Sequence, residues 1–153
     1  MSNTEHLCRE LQTLWHAHFP LSKAMGLEVL SYEHHVLTTR APLSLNTNIH
    51  DTAFAGSLYA IEAMTAWGVL YLEIVSAELN ASIIHAHGDI NFAKTIQEDI
   101  VAQSDFSQLT HCIDELRDNG KTRMSISTQV YAKDELASEF KGDYLARLDR
   151  TDQ

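Results

Sequence analysis

The chain switches between a helical and a strand period. Over residues 4–18, Leu7, Leu11, Leu14 and Trp15 recur at helical spacing, Phe19 follows, and Pro20 ends the run. This predicts an N-terminal helix within residues 1–20 and a turn over 22–26. Two strand-like runs follow, 27–33 and 35–42, the second closed by Pro42. The segment LSLNTNIHDTA is a polar loop. From Phe54 to Val75 the chain reads FAGSLYAIEAMTAWGVLYLEIV, where only Glu62 and Glu73 carry charge. This predicts one long helix from about Ala55 to Ser76. Strands are then expected over 82–94 and 98–107. A short amphipathic helix is expected over 108–119, with Leu109, Cys112, Ile113 and Leu116 on one face, Ser107 as N-cap and Gly120 just past its end. The run 121–133 alternates Met124, Ile126, Thr128 and Val130, and 136–147 alternates Phe140, Gly142 and Tyr144. Both read as half-buried strands that pair antiparallel. The element order is an α+β plan rather than an alternating βαβ plan.

The long helix is the feature to explain. At 1.5 Å per residue it runs about 33 Å, enough to cross a bilayer. Three observations favour a buried core helix instead. Glu62 and Glu73 fall on nearly one stripe, no Lys or Arg flanks either end, and amphipathic strands surround it in sequence. The expectation is a curved antiparallel sheet wrapped around the helix, with a second subunit over the remaining side and no membrane insertion.

Composition narrows the partners. The chain has 153 residues, 44% hydrophobic and 21% charged, with room for one core. Eleven Lys and Arg stand against 21 Asp and Glu, a formal net charge of −10, which excludes a broad nucleic-acid surface. The N-terminus lacks the basic and apolar regions of a signal peptide. Cys8 and Cys112 sit in no paired motif and read as reduced cysteines of a cytoplasmic protein. Two prolines, no repeat and no Pro/Gly/Ser linker point to one domain over 1–153.

The stretch from Asn48 to Leu58, NIHDTAFAGSL, is similar to the N-x-x-G-x-x-[HF]-G-G pattern at the helix start of hotdog-fold thioesterases. The runs Phe54-Ala-Gly-Ser-Leu-Tyr-Ala and Trp67-Gly-Val-Leu-Tyr, with Phe140-x-Gly142-x-Tyr144, resemble one subgroup more closely. That subgroup is the thioesterase domain joined, in other proteins, C-terminal to a GNAT-type acetyltransferase. The resemblance covers roughly residues 22–148. It implies a hotdog fold with an extra N-terminal helix, a homodimer, and hydrolysis of an acyl-CoA or acyl-carrier-protein thioester. Asp51 and Ala55 depart from the pattern, which has Gly at both places. Ala63 stands where one branch carries its catalytic acid, and Glu62 is one residue earlier, about 100° away around the helix.

Thioester hydrolysis needs a polarised carbonyl, an activated water and room for the acyl group. The free N–H groups at the helix start, near Ala55, Gly56 and Ser57, are candidates for the oxyanion. Asn48 is a candidate to hold the carbonyl or the water. Glu62 is the leading general base, since burial raises a carboxyl's pKa; the alternative is a purely structural hydrogen bond. Asp51 is a charge stabiliser at the helix N-terminus, a turn residue or a second acid, and Tyr59 lines the acyl path or packs in the core. Glu73, near the helix end, reads as exposed or structurally paired. Ser57 lies in no nucleophile elbow. His50, upstream of Glu62, permits a rival reading: Ile61-Glu62-Ala63-Met64 resembles the Glu-bearing helix of hotdog dehydratases, which pair it with a His. The other rival is a non-catalytic acyl-thioester-binding or dimerisation module that partners an acetyltransferase. Nine histidines give no ligand set. His16/His18 and His34/His35 diverge, and His85/His87 share a strand face without a third ligand. No metal is expected, and no cofactor beyond coenzyme A as part of the substrate. The sequence leaves open whether dimers pair into tetramers.

Overall fold

The structure is a computed structural model that describes residues 1–150; positions 151–153 of the expected domain lie outside the described residues. In chain order the elements are α1 (Asn3–His18), α2 (Pro20–Ala24), β1 (Glu28–Glu33), β2 (Val36–Ala41), a 3-10 turn (Leu43–Leu45) and α3 (Ala55–Ser76). They continue with β3 (Ala81–Phe92), β4 (Ile100–Asp105), α4 (His111–Asn119), β5 (Lys121–Ala132) and β6 (Glu135–Leu148). The six strands form one antiparallel sheet in the order β1-β2-β4-β5-β6-β3. Helix α3 packs against β2, β3, β4, β5 and β6. This is the hotdog arrangement, with α1 added outside.

Local chemistry sets the strand connections. The β1–β2 and β5–β6 hairpins turn on His34-His35 and Lys133-Asp134, all four at positive φ. Such two-residue turns match the right-handed twist of the strands. Helix α3 ends in a left-handed residue as well, Glu78 (φ 59°), with Leu79 N–H donating to Ile74 O (3.1 Å) and Glu78 N–H to Val75 O (2.9 Å). That pair of bonds satisfies carbonyls the helix leaves open.

Helix α1 opens with a capping box, in which Ser2 Oγ accepts from Glu5 N–H (3.1 Å) and Glu5 Oε2 accepts from Ser2 N–H (2.9 Å). It buries Leu7, Leu11 and Trp15. Its side chains also cover the open edge of β1. Gln12 Oε1 accepts the Val29 N–H (2.9 Å), and His16 Nε2 bonds Leu27 O just before the strand (2.8 Å). A covered edge cannot recruit a stray strand.

Three expectations change. The helical turn α2 takes up Ser22–Ala24 of the turn expected at 22–26 and leaves only Met25 and Gly26 as turn; Pro20 occupies its first position, where a missing N–H costs nothing. Ser107 is not the cap of α4: its N–H donates to Asp105 Oδ1 (2.8 Å) in a tight turn, and the helix starts at His111. Gly120 does close α4, at φ 79°. Strand β3 carries a bulge between His85 and His87, so the two histidines do not share a face. His85 lies opposite inward-facing Tyr144, and His87 opposite Asp143. The phase shift turns Gly88, Ile90 and Phe92 toward the helix side, opposite Gly142, Phe140 and Ser138.

By length and composition α3 is apolar enough to cross a membrane; 61% of its most apolar window is buried inside the protein. Leu58, Ile61, Ala66, Val69, Leu70, Leu72 and Ile74 all lie in the core. Gly68 lets α1 dock. A Cβ there would sit 2.6 Å from Trp15 Cζ2 and 2.9 Å from Leu37 Cδ2. Gly68→Ala adds up to about 1 kcal/mol of helix propensity but overpacks two fully buried side chains, at about 1–3 kcal/mol. The expected outcome is net destabilisation, seen as a lower urea midpoint; a raised midpoint contradicts this packing.

Candidate active site

The loop before α3 is held by side chains that sequence alone places only loosely. Asn46 is buried, and its Nδ2 donates to Met25 O (2.9 Å) and Pro42 O (2.8 Å). Its main-chain oxygen accepts the Phe54 N–H (2.8 Å), and Ala53 N–H donates to Ile96 O (2.8 Å). Asn48 is engaged within the loop: Oδ1 accepts from His50 N–H (2.9 Å) and Thr52 N–H (3.3 Å), and Nδ2 donates to Thr52 Oγ1 (2.9 Å). Asp51 is exposed at φ 59°, as a turn residue, and His50 is exposed beside it.

A groove of about 340 Å³ opens at this end of α3, between Asn48, Thr52, Ala55 and Leu58 on one side and the segment from Phe92 to Ile96 on the other. Its walls are mostly apolar, and Lys94 at the rim pairs with Glu135. A larger groove, about 650 Å³, lies between α1 and β1, but it shares no residue with the thioester site read from the sequence.

The first intrahelical bond of α3 is Leu58 N–H to Phe54 O (3.0 Å), and no side chain caps the helix. The N–H groups of Ala55, Gly56 and Ser57 therefore have no partner within the helix. Ala55 lines the groove. Gly56, the next residue, leaves room for a neighbouring side chain. The Phe54 ring folds over it, and a Cβ there would meet Phe54 Cε1 at 2.4 Å.

One turn beyond Leu58 on the same face stands Glu62. It is fully buried, at 0% exposure. Ser138 Oγ, on β6, donates to Glu62 Oε2 (2.6 Å), while Oε1 has no hydrogen-bond partner. Burial pushes its pKa up from 4.5 to about 8; the nearby charge of Glu139 adds to this, and the Ser138 hydrogen bond opposes it. Leu58 lines the groove, and Glu62 does not. His50 is exposed, and no hydrogen bond or ion pair joins it to Glu62 within the chain.

Tyr59 packs edge-on against Phe140 (5.3 Å between ring centres). Its hydroxyl occupies the space a Cβ would take at Gly88, 2.0 Å from that position. Gly88 pairs with Gly142, where a Cβ would lie 2.7 Å from both the Phe140 and Tyr144 rings. The Phe-x-Gly-x-Tyr motif is thus two inward aromatic rings leaning over a glycine. Tyr144 also donates to Ala63 O (2.9 Å), and His85 stacks on its ring at 4.5 Å.

The second carboxyl of the helix is treated differently. Glu73 is buried, and its Oε1 takes the Tyr32 hydroxyl (2.6 Å) and His35 Nδ1 (2.7 Å). Its partners are structural and belong to the β1–β2 hairpin. Among the described residues no three His, Cys, Asp or Glu gather as a metal site.

Sequence reasoning missed Ser138. The signal was present: two residues before Phe140 in an alternating strand, a serine falls on the inward face.

A six-stranded antiparallel sheet around one long helix, with a groove at the helix start and a buried carboxyl one turn on, defines a hotdog-fold protein of thioesterase type. The family described as "Putative thioesterase (yiiD_Cterm)" matches residues 8–148, and the chain belongs to it. The chain is similar to the putative thioesterase from Shewanella oneidensis at 25% identity and a TM-score of 0.87, over 95% of this chain and 99% of that one. It is as similar to a protein of unknown function from Chlorobaculum tepidum TLS, at 26% identity and a TM-score of 0.88, over 95% and 97%. A thioesterase from Haemophilus influenzae shares 8% identity and superposes with a TM-score of 0.72, over 92% and 90%. At that distance the likeness is one of fold alone.

The burial of Glu62 makes stability depend on pH. The folded chain holds this proton up to about pH 8, whereas the ordinary value is 4.5. Between the two, unfolding releases a proton, so the stabilisation is complete below the lower value and is lost as pH rises through the upper one. Relative to Glu62→Gln, the native protein loses stability across this window, at most roughly 1.4 kcal/mol per pH unit. Urea unfolding of both proteins at several pH values measures the slope. Parallel curves would show that the carboxyl is ionised in the fold.

Proposed function

We propose that this protein hydrolyses an acyl thioester carried on coenzyme A or on a carrier protein, with Glu62 as general base. One observation carries the reading: a buried carboxyl with one oxygen bound and the other unpartnered, on the face of α3 that leads from the groove. A carboxylate with a pKa near neutrality is suited to take a proton from water. In the proposed step Glu62 accepts that proton while the water oxygen adds to the thioester carbonyl. The resulting oxyanion lies toward the free N–H groups of Gly56 and Ser57, within reach of the positive end of the helix. Collapse of the tetrahedral intermediate breaks the carbon–sulfur bond, and the proton on Glu62 returns to the departing thiolate. Leu58 must turn aside for water and substrate to reach Glu62. Ala55 and Tyr59 flank the acyl group, and coenzyme A enters as part of the substrate, with no separate cofactor or metal. Asn48 and Asp51 shape the loop that forms the groove wall, and His50, exposed on the same loop, is the proposed contact for the substrate.

We further propose that the working form is a homodimer. Strand β3 is an unpaired sheet edge of 12 residues with Asp89 as its one formal charge and Ile84 54% exposed. On α3, Met64, Trp67 and Tyr71 are only partly covered, and Phe19 and Phe54 are exposed. A second copy of the chain, set edge to edge, would cover both features. The same reading is of a cytoplasmic protein, with free cysteines, no membrane insertion and no nucleic-acid partner. An acetyltransferase is the proposed partner class on sequence resemblance alone.

Purified protein is expected to release thiol from at least one member of a panel of acyl-CoA and acyl-carrier-protein thioesters, read with a thiol reagent. Glu62→Gln should lower kcat by about 10²–10⁴-fold. Intact thioesters throughout would remove the enzyme reading. Saturable binding without turnover, indifferent to Glu62→Gln, would select an acyl-thioester-binding module. Light scattering should give twice the chain mass or an even multiple; a monomer at micromolar concentration contradicts the interface.

A further inference from the structure

We propose that Ser138 is the positioning residue of this reaction: it ties down Glu62 Oε2 and so leaves Oε1 as the one oxygen free to meet water or substrate. The proposal rests on Glu62 being the base. Ser138 is itself fully buried, on the inward phase of β6 shared with Phe140, Gly142 and Tyr144. It is fixed from both sides by the sheet, opposite Val130 on β5 and Phe92 on β3. Phe92 also lines the groove, and the adjoining Ala93 and Lys94 N–H groups both donate to Ala137 O (2.8 and 3.1 Å). The serine is therefore held by strand pairing on both sides, next to the register shift between Val130 and Tyr131 and opposite a residue that lines the groove, so a displacement of the strand there would be passed to the carboxyl.

No other group can substitute for it. From β5, Thr128 gives its hydroxyl to the Glu62 main-chain oxygen (2.9 Å), not to the carboxyl. On α3, Thr65 gives its hydroxyl to Ile61 O (2.7 Å) and lies 2.7 Å from Thr39 Oγ1 on β2. From β6, Glu139 is a like charge, and it accepts from Gln129 Nε2 (2.9 Å). Among the described residues no Lys, Arg or His pairs with Glu62. Ser138 is thus the sole hydrogen-bond donor to the carboxyl. A hydroxyl has one proton to give, so it can hold one oxygen and no more. A donor of this kind favours the ionised form, which a buried base must reach before it can act.

A serine that merely fills space and one that sets the ionisation of Glu62 differ in a pH profile. The kcat/KM profile of the native enzyme should rise along a limb near pH 8, where Glu62 ionises. Ser138→Ala should move that limb to higher pH by about one unit. Ser138→Cys keeps the volume with a weaker donor and should give a smaller shift; it also serves if the alanine variant fails to fold. Ser138→Thr keeps the hydroxyl and should restore the native limb. Infrared titration of the Glu62 carboxyl, assigned by its loss in Glu62→Gln, reads the same shift without any substrate. A drop in rate with the limb and the carboxyl titration both unmoved would overturn the proposal. So would absence of turnover by the native protein; the infrared shift then tells failure of the base reading apart from failure of the serine's hold.

Discussion

A helix that is apolar on every side has no face to offer water, and the rest of this fold follows from keeping α3 dry. Each buried Leu, Ile or Val contributes about 1.5–3 kcal/mol when covered, and α3 places Leu58, Ile61, Val69, Leu70, Leu72 and Ile74 in the core. That sum is comparable with the whole net stability of an ordinary domain, about 5–15 kcal/mol. No single flat sheet face can cover such a rod. The structure surrounds it in pieces: five strands contact it, α1 lays Trp15 on Gly68, and a stripe through Met64, Trp67 and Tyr71 stays half open.

The same constraint gives meaning to the polar groups on that helix. A hydroxyl or carboxyl carried into the core must find partners or be costly. Thr65 bonds Ile61 O and lies within hydrogen-bond distance of Thr39. Glu73 takes two bonds, from Tyr32 and His35, both arriving from the β1–β2 hairpin. Glu62 takes one, and leaves an oxygen without a partner. Two carboxyls on one helix thus have opposite standing. Glu73 fastens a hairpin to the core. Glu62 carries an unmet demand one helical turn beyond Leu58, which lines the groove, and this is why it, and not Glu73, is read as the chemical group.

Much of this was legible in residues. Helix α3 was readable to its first and last residue because its composition is so lopsided. The alternation of Met124, Ile126, Thr128 and Val130 gave the face of β5 directly, since a strand half in water must alternate. The bulge in β3 was not readable. HAHGDINF alternates plausibly in either phase, and the choice is made by Tyr59 reaching over Gly88, a contact far away in sequence. The roles of Asn48, Asp51 and His50 were hidden for a related reason. Residues that fold a loop and residues that hold a substrate use the same donors and acceptors. Only the geometry shows that Asn48 Oδ1 accepts from the His50 and Thr52 N–H groups while Nδ2 gives one hydrogen to Thr52 Oγ1. The burial of Glu62 could be inferred from its apolar neighbours, but its partner required the register of β6.

The bulge, the open edge and the groove are consequences of one another. Without the extra residue near His85, the inward phase of β3 would fall on His87, Asp89 and Asn91 rather than Gly88, Ile90 and Phe92. Two ionisable groups would then face α3, and Phe92 would leave the groove wall. With the bulge, the apolar set points inward, Tyr59 finds a glycine to rest on, and Phe92 lies opposite Ser138. The residue that disturbs the edge strand is therefore the one that aligns the groove wall with Glu62. The distortion sits on the strand left unpaired, where a ladder can be broken at least cost. The β5–β6 ladder shifts register as well, between Val130 and Tyr131, so Ser138 is held next to a second irregularity rather than in an unbroken ladder.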